Sequence, residues 1–117
     1  IDAAALCKMA DRGQIRGGLL DGPLAFDNAI SLVAAKTKGI ISAVAGNADI
    51  LVVPDLESGN MMAKQLEYLG KALMAGVVLG ARVPIVLTSR ADTAETRAAS
   101  CAVVQLMAHR KREAIKA

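Results

Sequence analysis

Two short runs of apolar, largely β-branched residues constrain the fold of this 117-residue chain more than any other feature. Residues 49–53 are Asp-Ile-Leu-Val-Val and stop at Pro54, and residues 84–87 are Pro-Ile-Val-Leu. Runs of this length without alternating polar residues are typical of strands that are covered on both faces. Such strands occur mainly in parallel sheets, so the sequence predicts an α/β protein.

Segments with helical spacing surround these runs. Helices are predicted over residues 2–12, 25–38, 57–69 and 92–117, and further short strands over residues 15–20 and 77–79. This alternation predicts a mainly parallel sheet with helices on both faces. The strands are few and short, which is consistent with a piece of a larger α/β enzyme.

The composition excludes several classes of protein. A hydrophobic content of 54% excludes a disordered chain, and an aromatic content of 2% argues against modules that stack on nucleic-acid bases. The longest apolar stretch, residues 73–87, contains Gly, Arg and Pro and is too short to span a bilayer. Neither a nucleic acid nor a membrane is therefore expected as a partner.

The cysteines and histidine do not predict a metal site. Cys7 and Cys101 lie far apart in sequence, and with one histidine they are too few for a structural zinc site. Two reduced thiols are the simpler interpretation. They make the cytoplasm the expected location.

Polar residues follow each of three predicted strands, where ligands bind in open α/β sheets. Residues 21–28 follow the first strand, Asp55, Ser58 and Asn60 follow the second, and Ser89, Arg90 and Asp92 follow the third. We expect these residues to meet at one edge of the sheet. Taken singly, each is also an ordinary turn residue or helix cap, and Asp92 suits an N-cap.

Arg90 is unusual because a cation just before a helix N-terminus opposes the helix dipole. An anion held jointly by the guanidinium and the helix amides would reverse that penalty. The chain has neither the phosphate-binding P-loop motif nor the dinucleotide motif, and no hydrolase elbow surrounds Ser89. The sequence therefore predicts an anion site without a nucleotide fingerprint.

Three segments together resemble the phosphate acetyltransferase and butyryltransferase family. They are DGPLAFDNAIS at 21–31, residues 44–70, and LTSRAD at 87–92. The resemblance is strongest to bacterial members joined to an enoyl-CoA hydratase-like domain. It implies a homodimer of two α/β subdomains, similar to isocitrate and isopropylmalate dehydrogenases. Residues 1–117 are expected to be the C-terminal portion of such a catalytic domain and a fragment of a longer chain.

The resemblance also implies a reaction and its residues. An acetyl or short acyl group would pass between coenzyme A, a substrate, and inorganic phosphate, with no tightly bound cofactor. Ser89 would hydrogen-bond the acyl group and Arg90 would bind phosphate. The family's proposed base falls near Thr96, which cannot act as one, so Asp92 or Glu95 is expected instead. This departure favours a longer acyl group. Asp55, Ser58 and Asn60 are candidates for the substrate cleft.

Two other classes of function remain open. The chain is alternatively a non-catalytic oligomerisation or interaction fragment, inactive without the other subdomain. It is also compatible with a dehydrogenase of the related fold, although it has no dinucleotide fingerprint and no cluster of metal-binding aspartates.

Overall fold

A computed structural model describes residues 1–116, and the side chains of residues 1–113. The chain divides into two compact units, Ile1–Val53 and Pro54–Ala117. The first contains the helices α1 (Asp2–Asp11), α2 (Phe26–Ile30) and α3 (Leu32–Thr37). The second contains helix α4 (Leu56–Tyr68), strands β1 (Gly76–Val78) and β2 (Ile85–Leu87), and helix α5 (Ala94–Lys116). The predicted mixed α/β class is confirmed.

Three of the predicted helices are present with small shifts at their ends, because local capping signals define them. Gly13 follows α1 with a φ of 71°, a conformation that glycine adopts without a steric penalty. Asp55 caps α4, since its Oδ1 accepts the Ser58 N–H at 2.7 Å. The predicted helix over 92–117 is observed as α5, and residue 117 lies outside the described residues.

The predicted helix over 25–38 is instead two helices, α2 and α3. Ser31 separates them with φ −126° and ψ 113°, an extended conformation. Its Oγ accepts the Ala34 N–H at 3.3 Å, so Ser31 caps α3. A serine hydroxyl that satisfies a backbone N–H in this way competes with a continuous helix.

The buried apolar residues of the first unit are all small: Ala29, Ala35 and Ala45. Gly46 lies against the start of α3, and its N–H donates to the Asn28 carbonyl oxygen at 2.7 Å. An added Cβ on Gly46 would lie 2.6 Å from Leu32 Cα. The close approach of these two backbone segments therefore requires glycine.

We expect Gly46→Ala to destabilise the first unit more than Gly39→Ala does. Both glycines have positive φ, 86° and 66°, so each substitution costs roughly 1–2 kcal/mol in backbone strain. Only position 46 adds a backbone clash, because nothing lies within 4 Å of a Cβ at Gly39. Thermal melting of both variants measures the difference, and equal melting temperatures would contradict the close contact.

The sheet of the second unit has two strands, and they are antiparallel. Gly76 pairs with Leu87, Val77 with Val86, and Val78 with Ile85. The predicted mainly parallel sheet is therefore wrong for the described part of the chain. Residues 79–84 alone connect the strands, whereas a parallel connection needs about a dozen residues or more. Among the described helices only α5 packs on this sheet, so the prediction of helices on both faces is also wrong.

The strands predicted over 15–20 and 49–53 are not formed. Ile50 and Val52 are each 81% exposed. A strand requires a partner for its backbone hydrogen bonds, and the described residues supply none beside this segment. In the earlier segment, Gly17 has a φ of 97°, which is incompatible with an extended strand.

Helix α5 is long but strongly charged. Glu95 lies in its first turn, and an ion pair joins His109 Nε2 to Glu113 Oε1 at 3.3 Å when the imidazole is protonated. None of the helices that the structure describes combines the length and the apolar character needed to cross a membrane.

Candidate functional site

The connection between β2 and α5 forms a closed turn, which we call the Ser89–Asp92 turn. The Asp92 N–H donates to the Ser89 carbonyl oxygen at 3.2 Å. In return, Asp92 Oδ2 accepts the Ser89 N–H at 2.7 Å. Ser89 Oγ also accepts the Ala91 N–H at 3.3 Å. Two hydrogen bonds between Ser89 and Asp92 therefore close this turn of four residues.

Two side-chain groups of this turn remain available to a ligand. Ser89 is exposed, and its hydroxyl accepts the Ala91 N–H, so its proton remains for donation to a ligand. Asp92 is half-buried and uses Oδ2 within the turn, while Oδ1 is its second acceptor. The same short segment therefore offers one hydrogen-bond donor and one carboxylate oxygen.

Thr93, and not Asp92, caps helix α5. Its Oγ1 accepts the Thr96 N–H at 3.2 Å, which is the usual N-cap hydrogen bond. The interpretation of Asp92 as the N-cap is therefore wrong. The sequence does carry a signal for this cap, because threonine is a favoured N-cap residue and Thr93 directly precedes the helix.

Thr96 lies near the position at which the resemblance predicts a base. It is 6% exposed, and its hydroxyl accepts a hydrogen bond from Thr93 Oγ1 at 3.2 Å. A buried hydroxyl is a poor proton acceptor near neutral pH. Among the predicted candidates, the carboxylates nearest in sequence are Asp92, in the turn, and Glu95, which is exposed in the first turn of α5.

Two arginines lie at the turn, of which only Arg90 was predicted from the sequence to bind an anion. Arg90 is exposed at the middle of the turn. Arg97 Nη2 donates to the Arg90 carbonyl oxygen at 3.5 Å, which places a second guanidinium beside the first residues of α5. Positive charge from two side chains and from the helix N-terminus favours an anion here. Arg97 lies within α5 whereas Arg90 lies in the turn before it, and the spacing of the two arginines in sequence does not predict that they meet.

Lys64 of α4 is held by neighbours in its own helix. Its Nζ donates to Glu67 Oε2 at 2.6 Å and lies 5.6 Å from the centre of the Tyr68 ring. The hydrogen bond with Glu67 is the main cause of a raised pKa of the Lys64 ammonium, and the negative charge of Asp92 contributes a smaller part. Lys64 is therefore paired mainly with Glu67 of its own helix.

Asp55, Ser58 and Asn60 form a separate group at the start of α4. The hydrogen bond from the Ser58 N–H is the main reason that the pKa of the Asp55 carboxyl is lowered. Asn60 is exposed within the helix. Among the elements that the structure describes, α4 packs on no other helix or strand, and no side-chain hydrogen bond joins this group to the Ser89–Asp92 turn. The place of these three residues in a substrate cleft stays a prediction.

Within residues 1–113, no group of three or more His, Cys, Asp or Glu side chains is arranged to hold a metal ion. Both cysteines are free thiols, Cys7 half-buried and Cys101 exposed. Cys7 Sγ donates to the Gly22 carbonyl oxygen at 3.8 Å, a contact within the first unit.

The fold is similar to that of a solved phosphotransacylase. The structure of a branched-chain phosphotransacylase from Enterococcus faecalis superimposes with a TM-score of 0.75 and 36% sequence identity, covering 90% of this chain and 39% of that one. The chain therefore falls in the class of mixed α/β proteins that includes this phosphotransacylase.

The sequence comparison narrows this class to one family. The family model described as "Phosphate acetyl/butaryl transferase" matches residues 2–105, so the chain belongs to that family, and the predicted resemblance is confirmed. A phosphate acetyltransferase from Rhizobium meliloti is 70% identical over 114 residues, 97% of this chain and 36% of the relative. A phosphate butyryltransferase from Clostridium beijerinckii is 50% identical over 112 residues, 96% of this chain and 37% of the relative. The chain thus spans about a third of the length of these relatives.

Proposed function

We propose that the protein carrying this chain transfers an acetyl or short acyl group between coenzyme A and inorganic phosphate. The match to the family over residues 2–105 is the observation that carries this proposal. It is supported by relatives named phosphate acetyltransferase at 70% and 71% identity. The Ser89–Asp92 turn supplies the groups that such a reaction needs.

In the direction of acyl-CoA formation, the coenzyme A thiol first loses its proton. A thiol with a pKa of about 8.5 needs only a modest base, and Asp92 Oδ1 takes this proton, with Glu95 as the alternative base. The thiolate attacks the carbonyl carbon of the acyl phosphate and forms the new C–S bond. The C–O bond to phosphate then breaks, and phosphate leaves with the bonding electron pair.

Ser89 and Arg90 stabilise the charges that develop during these steps. The Ser89 hydroxyl donates to the carbonyl oxygen as it becomes negative. The Arg90 guanidinium holds two phosphate oxygens in a fixed geometry, and the N-terminus of α5 adds favourable charge. Asp55, Ser58 and Asn60 line the substrate cleft in this proposal. The steps use coenzyme A as a substrate and require no tightly bound cofactor or metal.

The proposal extends to architecture and location. We propose that residues 1–117 are the C-terminal portion of a two-subdomain catalytic domain of the isocitrate and isopropylmalate dehydrogenase type, in a cytoplasmic homodimer. The exposed apolar residues Ile50 and Val52 support the presence of covering structure elsewhere in the protein. Sedimentation of the complete natural protein tests the dimer, and a monomer would contradict it.

A second candidate is a non-catalytic interaction fragment, which the small core of the first unit favours. The test is acyl transfer from acetyl phosphate and butyryl phosphate to coenzyme A, with the complete natural protein and with residues 1–117 alone. Turnover in the complete protein but not in residues 1–117 alone supports the proposed enzyme. The ratio of turnover with butyryl phosphate to turnover with acetyl phosphate tests the expectation from Thr96 of a longer acyl group. The names of the relatives at 70% and 71% identity, which are acetyltransferases, point the other way. No transfer of either acyl group would refute the proposed function.

A chimera tests the residues of this chain directly. The matching third of the Rhizobium meliloti relative is replaced by this chain, to which it is 70% identical. We expect a folded chimera to transfer acyl groups. A chimera that folds but is inactive would show that this chain cannot support the reaction.

Arg90→Lys is expected to raise the KM for phosphate by about 5- to 150-fold, with melting unchanged. Lysine keeps the positive charge but loses the guanidinium fork, a loss of roughly 1–3 kcal/mol. Arg82→Lys, on the other side of β2 in sequence, is the matched control and should leave the KM unchanged. Steady-state kinetics at varied phosphate measure both variants, and an unchanged KM in Arg90→Lys would remove Arg90 from phosphate binding.

A further inference from the structure

Ser100 is the most deeply buried polar residue among the described side chains. It is 0% exposed. Its Oγ accepts the Gly76 N–H at 3.0 Å and donates to the Thr96 carbonyl oxygen at 2.8 Å. The second bond lies within helix α5 and is common for serine. The first joins two residues that are 24 positions apart in sequence, so the hydroxyl connects β1 to α5.

This connection fixes both ends of the Ser89–Asp92 turn. Gly76 pairs directly with Leu87, and a side chain on Gly76 would collide with the Leu87 carbonyl oxygen. Ser89 begins the turn two residues after Leu87, so Gly76 is paired with the strand that leads into the turn. At the other end, Thr96 lies in the first turn of α5, three residues after the cap Thr93, which itself follows Asp92.

We propose that Ser100 is a positioning residue for the acyl transfer, acting through Ser89 and Asp92. This inference rests on the proposed function. The Ser100 hydroxyl holds the β1–β2 pair and the first turn of α5 at a fixed separation, and the turn between them keeps the geometry that presents both reacting side chains. Displacements of about 1 Å at a reacting group lower turnover strongly, so a fixed separation matters for the rate.

Ser100→Ala removes the acceptor for the Gly76 N–H and the anchor between β1 and α5. We expect turnover to fall about tenfold, and the KM for phosphate to rise by a smaller factor because Arg90 lies within the same turn. Ser100→Cys has nearly the same size but only a weakly hydrogen-bonding thiol, so it tests the same bond if the alanine variant does not fold. Ser42→Ala is the matched control in the first unit, because Ser42 Oγ also accepts backbone N–H groups, those of Val44 and Ala45. It should change stability without lowering turnover.

A double-mutant cycle separates positioning from general destabilisation. Because Ser100 acts through both Ser89 and Asp92, Ser100→Ala should lower turnover by clearly less than tenfold in a Ser89→Ala background, where only the effect through Asp92 remains. A merely structural role predicts the same tenfold decrease in both backgrounds. If the decreases in turnover of Ser89→Ala and Ser100→Ala simply multiply in the double variant, the inference is wrong.

Hydrogen exchange gives a readout that does not depend on activity. The Ser89 N–H is bonded to Asp92 Oδ2, and we expect its exchange to become at least about tenfold faster in Ser100→Ala. Unchanged protection of the Ser89 N–H would refute the positioning role, whether or not the enzyme is active. An inactive wild-type protein, by contrast, would refute the proposed acyl transfer, and the exchange result would then show only whether Ser100 holds the Ser89–Asp92 turn in place.

Discussion

Ser89→Ala in the complete natural protein is expected to lower turnover roughly 10²-fold or more, with little change in melting temperature. The hydroxyl proton of Ser89 is available for the developing oxyanion, and alanine cannot donate a hydrogen bond. The turn itself should persist, because the Ser89 backbone makes both of its hydrogen bonds to Asp92. The alanine variant loses only the longer contact between Ser89 Oγ and the Ala91 N–H.

Ser31→Ala is the matched control for the loss of a serine hydroxyl. Ser31 caps α3, so its alanine variant should lose about 1 kcal/mol of stability and keep its turnover. Steady-state turnover and thermal melting of both variants are compared. If Ser89→Ala instead melts at a lower temperature and keeps its turnover, Ser89 is a turn residue and not part of the reaction.

Helices were predictable from the sequence wherever their ends carry a local signal. Gly13 after α1 and Asp55 before α4 act within a few residues of the helix, so their effect does not depend on distant parts of the chain. Ser31 is a local signal of the same kind, but the apolar spacing across residues 25–38 concealed it. The break between α2 and α3 was therefore missed.

Strands were less predictable because strand pairing is not local. Ile50 and Val52 have the composition of a buried strand, but composition does not supply the neighbouring strand that makes a ladder. The antiparallel direction of β1 and β2 was predictable, since the connection over residues 79–84 is too short for a parallel crossover. The prediction of a parallel sheet gave too much weight to the apolar runs.

In the site too, contacts between residues close in sequence were predictable, and contacts between distant residues were not. Ser89 and Asp92 are three residues apart, and a turn brings them together. Asp55, which the sequence placed at the same edge, caps α4 and makes no hydrogen bond to that turn among the described residues. Ser100 was missed because its hydrogen-bond partner Gly76 is distant in sequence.

Asp92→Asn is expected to lower turnover roughly 10²- to 10⁴-fold at unchanged stability. As the base, Asp92 must take the thiol proton, which a carboxamide cannot do. The asparagine can still accept the Ser89 N–H through its carbonyl oxygen, so the turn should keep its shape. Helix α5 should be unaffected as well, because Thr93 is its cap. The substitution thus removes the proton acceptor and leaves the surrounding structure intact.

The pH dependence of the reaction distinguishes Asp92 from the alternative base, Glu95. In the wild type, kcat/KM should fall at low pH as the base becomes protonated, and Asp92→Asn should lose this acid limb. Glu95→Gln should keep the limb and most of the turnover if Asp92 is the base, and the reverse pattern would transfer the role to Glu95. Asp11→Asn, at an exposed ion pair with Lys8, controls for the change of a carboxylate to an amide. If Asp92→Asn keeps the turnover and the acid limb of the wild type, Asp92 is not the base and serves only to close the turn.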